Sequence, residues 1–231
     1  MTARLEASAI VAVKDGERFL AQALASIAAQ DRPAAEVIVV DGGSTDGTEA
    51  IARSFPGVRW VPQRGRGIAD AYNLGVEEAR GDLVAFLSHD DLWTPDKLAL
   101  QAGRLETAPD LAFVVAHARF FLEPGCAPPP GFRRELLDAE RPAWIVETLV
   151  ARRSLFGRIG GFDPRLAVAE DVDWFARAAD AGVPSAILPR VLLRKRVHDR
   201  NASLAPTDPG LHDLLEAVRR SIARKRAGRA E

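Results

Sequence analysis

Residues 36–52 read EVIVVDGGSTDGTEAIA. Glu36–Val40 form a short apolar run without polar alternation, the pattern of a strand buried on both faces of a sheet. DGGSTDGT (Asp41–Thr48) follows, a glycine-rich polar turn in which Ser44 or Asp46 can cap a helix beginning near Glu49. A buried strand that passes through a polar turn into a helix is the repeating unit of a parallel sheet, because parallel strands need a crossover.

The same unit recurs on both sides of this stretch. SAIVAV (Ser8–Val13) is a strand, followed by a helix whose apolar residues Phe19, Leu20, Ala23, Leu24, Ile27 and Ala28 keep a helical spacing. VRWVPQ predicts a third strand, GIADAYNLGVEEA a third helix, and DLVAFL (Asp82–Leu87) a fourth strand. Thr94 and Pro95 then read as N-cap and first residue of another helix, TPDKLALQAGRLE. This βαβα rhythm predicts an α/β fold with a mostly parallel sheet flanked by helices. The second half is less regular: LAFVVAHARF is a strand, PGCAPPPGF (Pro124–Phe132) a loop, AEDVDWFARAADAG (Ala169–Gly182) a helix stopped by Gly182, and AILPRVLLRKRVH one or two strands.

The chain has 231 residues, enough for one domain with a sizeable core; 47% are hydrophobic and 27% charged, as in a soluble globular protein. A formal net charge of -1 gives no general reason to expect nucleic acid as a partner. The single cysteine, Cys126, excludes an intrachain disulfide framework and a thiolate zinc cluster, and fits a reducing cytoplasm. No apolar run approaches the roughly 20 residues of a transmembrane segment. The expected location is therefore cytoplasmic, with peripheral membrane contact left open. The basic tail (Arg219–Arg229), with Leu214, Leu215, Val218 and Ile222 before and within it, reads as a solvated terminal helix with one packed face, favoured over a membrane-surface helix.

In open parallel sheets ligands bind beyond the carboxyl ends of the strands. Lys14 and Asp15 follow the first strand, Asp41, Gly42 and Gly43 the second, and Ser88, His89, Asp90 and Asp91 the fourth. The last four lie in FLSHDDLW (Phe86–Trp93), where two adjacent carboxylates need something to compensate them. Together these rim residues suit a cation and a hydroxyl-rich ligand. Trp93 and Trp144 are weighed as sugar-face contacts, whereas Trp174 and Phe175 read as core.

AIVAVKDGERFLAQALASIAAQ, EVIVVDGGSTDGTEAIA and RGIADAYNLGVEEARGDLVAFLSHDDLWTPDKL resemble the nucleotide-sugar-binding half of family 2 glycosyltransferases, which have the GT-A fold. LFGRIGGFDPRLAVAEDVDWFARAADAG and RVHDRNAS resemble the acceptor side of that family, so the likeness runs over roughly residues 8–204. It implies a single GT-A domain: about 1–100 for the nucleotide-sugar donor, about 101–205 for acceptor and catalysis, and 206–231 as a C-terminal basic helix. It implies an inverting glycosyltransferase, moving a sugar from a UDP-, GDP- or dTDP-sugar to a carbohydrate or lipid-linked acceptor with Mn2+ or Mg2+. The backbone at Ala12, Val13 and Asp15 and the carboxylate of Asp41 would receive the nucleoside. Arg66 and Asp70 would flank base and diphosphate, and His89 would face the diphosphate or line its turn. Asp90 would hold the metal, His198 would complete the metal or diphosphate site, and Asp171 would be the general base. Asp91 reads as a brace or cap for the following helix, with ligation by Asp91 or Ser88 the lesser alternative. Glu170 and Asp173 read as orienting or solvated groups, and the double glycine of IGGFD (Ile159–Asp163) as a turn with unusual backbone angles that positions the acceptor side.

Three positions depart from that pattern: Ser88 stands where the family's metal motif is acidic, Gly42 follows Asp41 where a second aspartate is usual, and Lys14–Asp15 replace a frequent Tyr-Asn. Two other readings follow. A catalytically weakened nucleotide-sugar or glycan-binding relative would explain Ser88. A sugar nucleotidyltransferase shares the fold, but AVKDGERF lacks the Gly-rich basic loop expected after the first strand.

Overall fold

The computed structural model describes residues 4–130, 132–166, 168–199, 201 and 208–227; Arg200 and residues 202–204 of the RVHDRNAS motif, and Arg229, lie outside them. Strands β1 (Ala7–Val13), β2 (Glu36–Asp41), β3 (Val58–Pro62) and β4 (Leu83–Ser88) alternate with helices α1 (Leu20–Ala28), α2 (Thr48–Ser54) and α3 (Gly67–Glu78). The chain continues through β5 (Leu92–Trp93), α4 (Lys97–Thr107), β6 (Phe113–Leu122), β7 (Glu140–Ala143), β8 (Val150–Arg152), α5 (Ser154–Ile159), α6 (Glu170–Asp180), β9 (Ser185–Val197) and α7 (Asp208–Ala227).

One sheet runs β3-β2-β1-β4-β8-β6-β9-β5, with β7 pairing beside β6. The first four strands are parallel, as is the long β6–β9 pair. Between them β8 lies antiparallel to both β4 and β6, joining the regular half of the chain to the irregular half. β9 is one strand, interrupted by register shifts around Ala116 and His117 of its partner.

The apolar runs form strands because both sheet faces are covered. Every residue of β1 is buried. Ile10 and Ala12 join one core with Tyr72 and Leu74 of α3 and Trp174, Phe175 and Ala178 of α6. Ala9, Val11 and Val13 join another with Leu20, Leu24 and Ile27 of α1 and Leu98, Ala102 and Leu105 of α4. Each large aliphatic side chain so buried contributes about 1.5–3 kcal/mol relative to exposure. All strand C-termini of the parallel half therefore open on one rim.

Three expectations shift. α4 starts at Lys97, two residues after Pro95, because the Thr94 hydroxyl bonds the Asp96 carboxylate and the Thr94 carbonyl accepts from Lys97 N–H, closing a turn first. Trp93 is core, 3% exposed, with its indole N–H on the Phe86 carbonyl, so it does not face a sugar. On α7 the packed face is polar: Arg220 binds Asp163, Ser221 and Arg224 bind Asp180, and Leu214, Leu215, Val218 and Ile222 stay exposed. No described helix is long and apolar enough to cross a membrane.

Candidate active site

The turn after β2 is organised by Asp41. Its carboxylate accepts from Gly43 N–H (3.2 Å) and Ser44 N–H (3.1 Å) and from the Ser44 hydroxyl, leaving it 7% exposed. Asp15 ties this turn to β1: with φ at 48° its N–H donates to Ser44 Oγ (2.8 Å), and its carboxylate accepts from Thr45 N–H (2.8 Å). Gly42 N–H donates to the Val13 carbonyl at 2.8 Å, so the loops after β1 and β2 form one surface. Asp46 accepts from Thr48 N–H (3.0 Å), supplying the helix-start contact that the sequence allows to Asp46 or Ser44. Asp70 closes the loop after β3, accepting from Gly65 N–H (3.1 Å) and Gln63 Nε2 (3.0 Å), whereas Arg66 is exposed at the entrance to α3. His89 packs on Gly16, where a methyl group would meet its ring at 2.9 Å, and burial lowers its pKa.

At the end of β4 the two aspartates separate. Asp90 Oδ2 lies 3.0 Å from His198 Nε2 and accepts from Asn201 Nδ2 at 3.2 Å. Burial opposes its charge, but the His198 hydrogen bond, followed by the fields of Lys195 and His89, holds Asp90 well below the usual carboxylate range. Asp91 instead turns inward, 1% exposed, accepting from Lys195 Nζ (2.9 Å) and Arg196 N–H (2.8 Å). It neither caps nor braces α4, because both carboxylate oxygens are committed to β9. Ser88 is committed as well: its hydroxyl donates to Glu147 Oε1 at 2.7 Å and sits 3.3 Å from Tyr72 Oη.

Glu147 rides the short 3₁₀ turn Val146–Thr148 before β8 and also accepts from Lys195 Nζ at 3.1 Å. One buried lysine thus faces two buried carboxylates. Burial first, then Asp90 and Glu147 against the opposing pull of Lys195, pushes Asp91 up to about 7. The pairing holds Glu147 below its ordinary value despite burial, chiefly through Lys195 and the Ser88 hydroxyl.

The third group stands at the start of α6, where Ala169 adopts the left-handed region at φ 75° and the helix opens with Glu170 and Asp171. Burial, then the neighbouring Asp171 carboxylate, pushes Glu170 up to about 8. Burial, then the field of Glu147, raises Asp171 to about 6. At neutral pH the pair therefore holds one protonated and one ionised acid, the division of labour that acid–base sites use. Glu170 is partly buried at this helix start. Asp173 is not solvated: it is 2% exposed and paired with Arg177 Nε at 2.7 Å. The IGGFD turn is pinned beside them: Gly160 has φ 83°, and Asn73 of α3 exchanges two hydrogen bonds with the Phe162 backbone (2.7 and 2.8 Å).

A model of the family described as "Glycosyl transferase family 2" matches residues 8–160, from the first residues of β1 into the IGGFD turn. The chain belongs to glycosyltransferase family 2. An uncharacterized glycosyltransferase of Rickettsia typhi is 30% identical over 226 residues, covering 90% of this chain and 68% of that protein. The crystal structure of Staphylococcus aureus TarS 1–349 in complex with UDP-GlcNAc superposes with a TM-score of 0.74 at 20% identity, covering 95% of this chain and 66% of that one. The mannosyltransferase PcManGT of Pyrobaculum calidifontis, in complex with GDP-Man and Mn2+, gives 0.66 at 27% identity, covering 87% and 59%. The family 2 chain thus has the GT-A fold and spans about two thirds or less of these proteins' own lengths.

Sequence reading misses Glu147, Lys195 and Tyr72 as members of the buried rim network. Lys195 stands beside Arg194 and Arg196 in RVLLRKRV, a basic strand in which nothing local marks it as buried.

Proposed function

We propose that this family 2 chain is an inverting glycosyltransferase that transfers a sugar from a nucleoside-diphosphate donor to an acceptor hydroxyl. Residues about 1–100 would serve as its donor half and about 101–205 as its acceptor half. One observation carries the reading: Asp90, held by His198 and Asn201 at the end of β4, and Asp171, in the first turn of α6, are two partly buried carboxylates that both feel the field of Lys195. The nucleotide sugars in the complexes of TarS and PcManGT support that donor class.

The loops after β1 and β2, with backbone at Ala12, Val13 and Asp15 and the Asp41 carboxylate, would take the nucleoside, and Arg66 and Asp70 would flank it. The donor set at Asp90 and His198 fits Mn2+ or Mg2+. Asp90 Oδ2 and His198 Nε2 converge at the end of β4, and with the His198 nitrogen deprotonated they would offer one oxygen and one nitrogen donor to the ion. Among the described residues no three acidic, histidine or cysteine groups form a complete cage, so phosphate oxygens and water would supply the remaining positions. When bound, the ion supplies Lewis-acid stabilisation of the diphosphate leaving group. Asp171 accepts the acceptor's proton as its oxygen attacks the anomeric carbon from the face opposite the diphosphate, and the bond to the diphosphate breaks in the same step. General-base help of this kind contributes about 10²–10⁴-fold.

A screen of nucleotide sugars read by nucleoside-diphosphate release, with and without Mn2+, tests the reading; absence of turnover with every donor and metal overturns it. Donor binding without turnover would favour the second reading, a nucleotide-sugar-binding relative, which rests on Ser88 and its commitment to Glu147. Asp90→Ala is expected to make donor affinity, measured by calorimetry, indifferent to Mn2+. Binding that stays metal-dependent in the variant would place the metal elsewhere.

A further inference from the structure

The acid missing at position 88 has a counterpart in space. Because β8 pairs antiparallel with β4 (Ala85 with Val150), the turn before β8 arrives at the C-terminal end of β4 and sets Glu147 Oε1 2.7 Å from Ser88 Oγ. The same oxygen accepts from Lys195 Nζ at 3.1 Å, whose ammonium also reaches Asp91 Oδ2 at 2.9 Å.

The backbone carrying Glu147 is fixed from the other side by α4. Gln101 Nε2 donates to the Thr148 carbonyl at 2.8 Å and Lys97 Nζ at 3.3 Å, while the Thr148 hydroxyl donates to the carbonyls of Ala143 (2.7 Å) and Ile145 (3.0 Å). A chain of contacts therefore runs from Tyr72 through Ser88, Glu147 and Lys195 to Asp91, joining α3, β4, the turn before β8, and β9.

Burying two carboxylates on one lysine carries a desolvation cost that their pairing offsets only in part, so the cluster is poorly explained by stability alone. Lys195 acts on both Asp90 at the end of β4 and Asp171 at the start of α6, and Glu147 is a carboxylate outside α6 whose field both Glu170 and Asp171 feel.

We propose that Glu147 is a positioning residue for sugar transfer: it restores, from the second half of the chain, the negative charge absent at Ser88, and it clamps the end of β4 in register with Asp171. This rests on the glycosyltransferase reading above.

The test is the pH dependence of kcat and the donor KM for the full chain, its Glu147→Gln variant and its Lys195→Gln variant, alongside thermal unfolding of each. The groups facing Asp171 are Glu170 on its own helix, Glu147 on the turn before β8 and Lys195 on β9. Removing the Glu147 charge makes the Asp171 proton easier to lose, so the acidic limb of kcat should move down by about half a pH unit or more. Removing the Lys195 charge should move it up by a similar amount. In Glu147→Gln, kcat at the optimum should fall about tenfold while the donor KM changes less than about threefold, within the range of positioning effects.

A limb that stays in place in both variants, or moves in the same direction in both in step with lost thermal stability, overturns the proposal. If Glu147→Gln does not fold, Ser88→Ala breaks the same contact without stranding a charge; an unchanged kcat there overturns the proposal and a tenfold fall supports it. Absence of turnover in the unaltered chain overturns the glycosyltransferase reading itself, and that result is in hand before any variant is compared.

Discussion

Asp171→Asn is expected to reduce nucleoside-diphosphate release driven by acceptor by about 10³-fold, within the span of general-base contributions, while donor affinity stays within about threefold. The asparagine keeps the size of the side chain and an oxygen that can accept the Val172 N–H at 2.7 Å, so the first turn of α6 remains as it is. What it loses is the ability to take a proton. The pH profile of the unaltered chain supplies an independent check. Asp171 sits at about 6, so kcat/KM should be level above that pH and fall about tenfold per unit below it, as the base becomes protonated. Glu170, at about 8, is protonated throughout the descending limb and contributes no step there. Stopped acceptor turnover together with lost donor binding would show that Asp171 acts on the donor instead.

Lys195→Met is expected to have the largest effect on stability. The methionine fills a similar volume, but Asp91 and Glu147 are left buried with no cation between them. Breaking one partner out of a buried ionic cluster costs about 3–5 kcal/mol. The loss should depend on pH in a defined direction. Without Lys195 both carboxylates have folded-state pKa values above their unfolded values near 4. Their protonated forms are then compatible with folding at low pH, and that stability is lost as pH rises through the folded values. Urea unfolding should therefore show a deficit that grows between pH 5 and pH 8. A deficit constant across that range, or smaller than about 1 kcal/mol, the scale of an exposed pair, would mean that Lys195 is compensated by something else.

These two residues also show which parts of the site can be read from sequence. Asp90 follows a strand that is continuously apolar, so its place on the rim is legible from a local pattern, whereas the apolar spacing around Asp171 marks only its helix and the residue itself is singled out by the family resemblance. Glu147 sits in IVETLV, where a three-residue turn and a three-residue strand leave no period to detect. Lys195 reads as a surface cation in a basic strand. Its burial comes from Asp91, 104 residues earlier, and Glu147, 48 residues earlier, which no local pattern reports. The same holds for the fold. β1, β2 and β4 are apolar runs recognisable alone, whereas β5 and β8 exist only because longer strands offer them free edges. Asp91 reads in sequence as a partner of the helix beside it, but β9 offers it both an ammonium and a backbone N–H.

The position of β8 in the sheet has a consequence for how the molecule comes into being. Strands β1 to β4 and their crossover helices are complete by Ser88, and all the pairings among them fall within that stretch, so a chain emerging from a ribosome can close that parallel half before the rest is made. At that stage β4 ends in an open edge, and Asp90 and Asp91 have neither His198 nor Lys195 to answer them. The seam closes once residues 150–152 are available, and β9 follows later still. The loops after β1 and β2 are thus in place well before the charged centre that β9 completes.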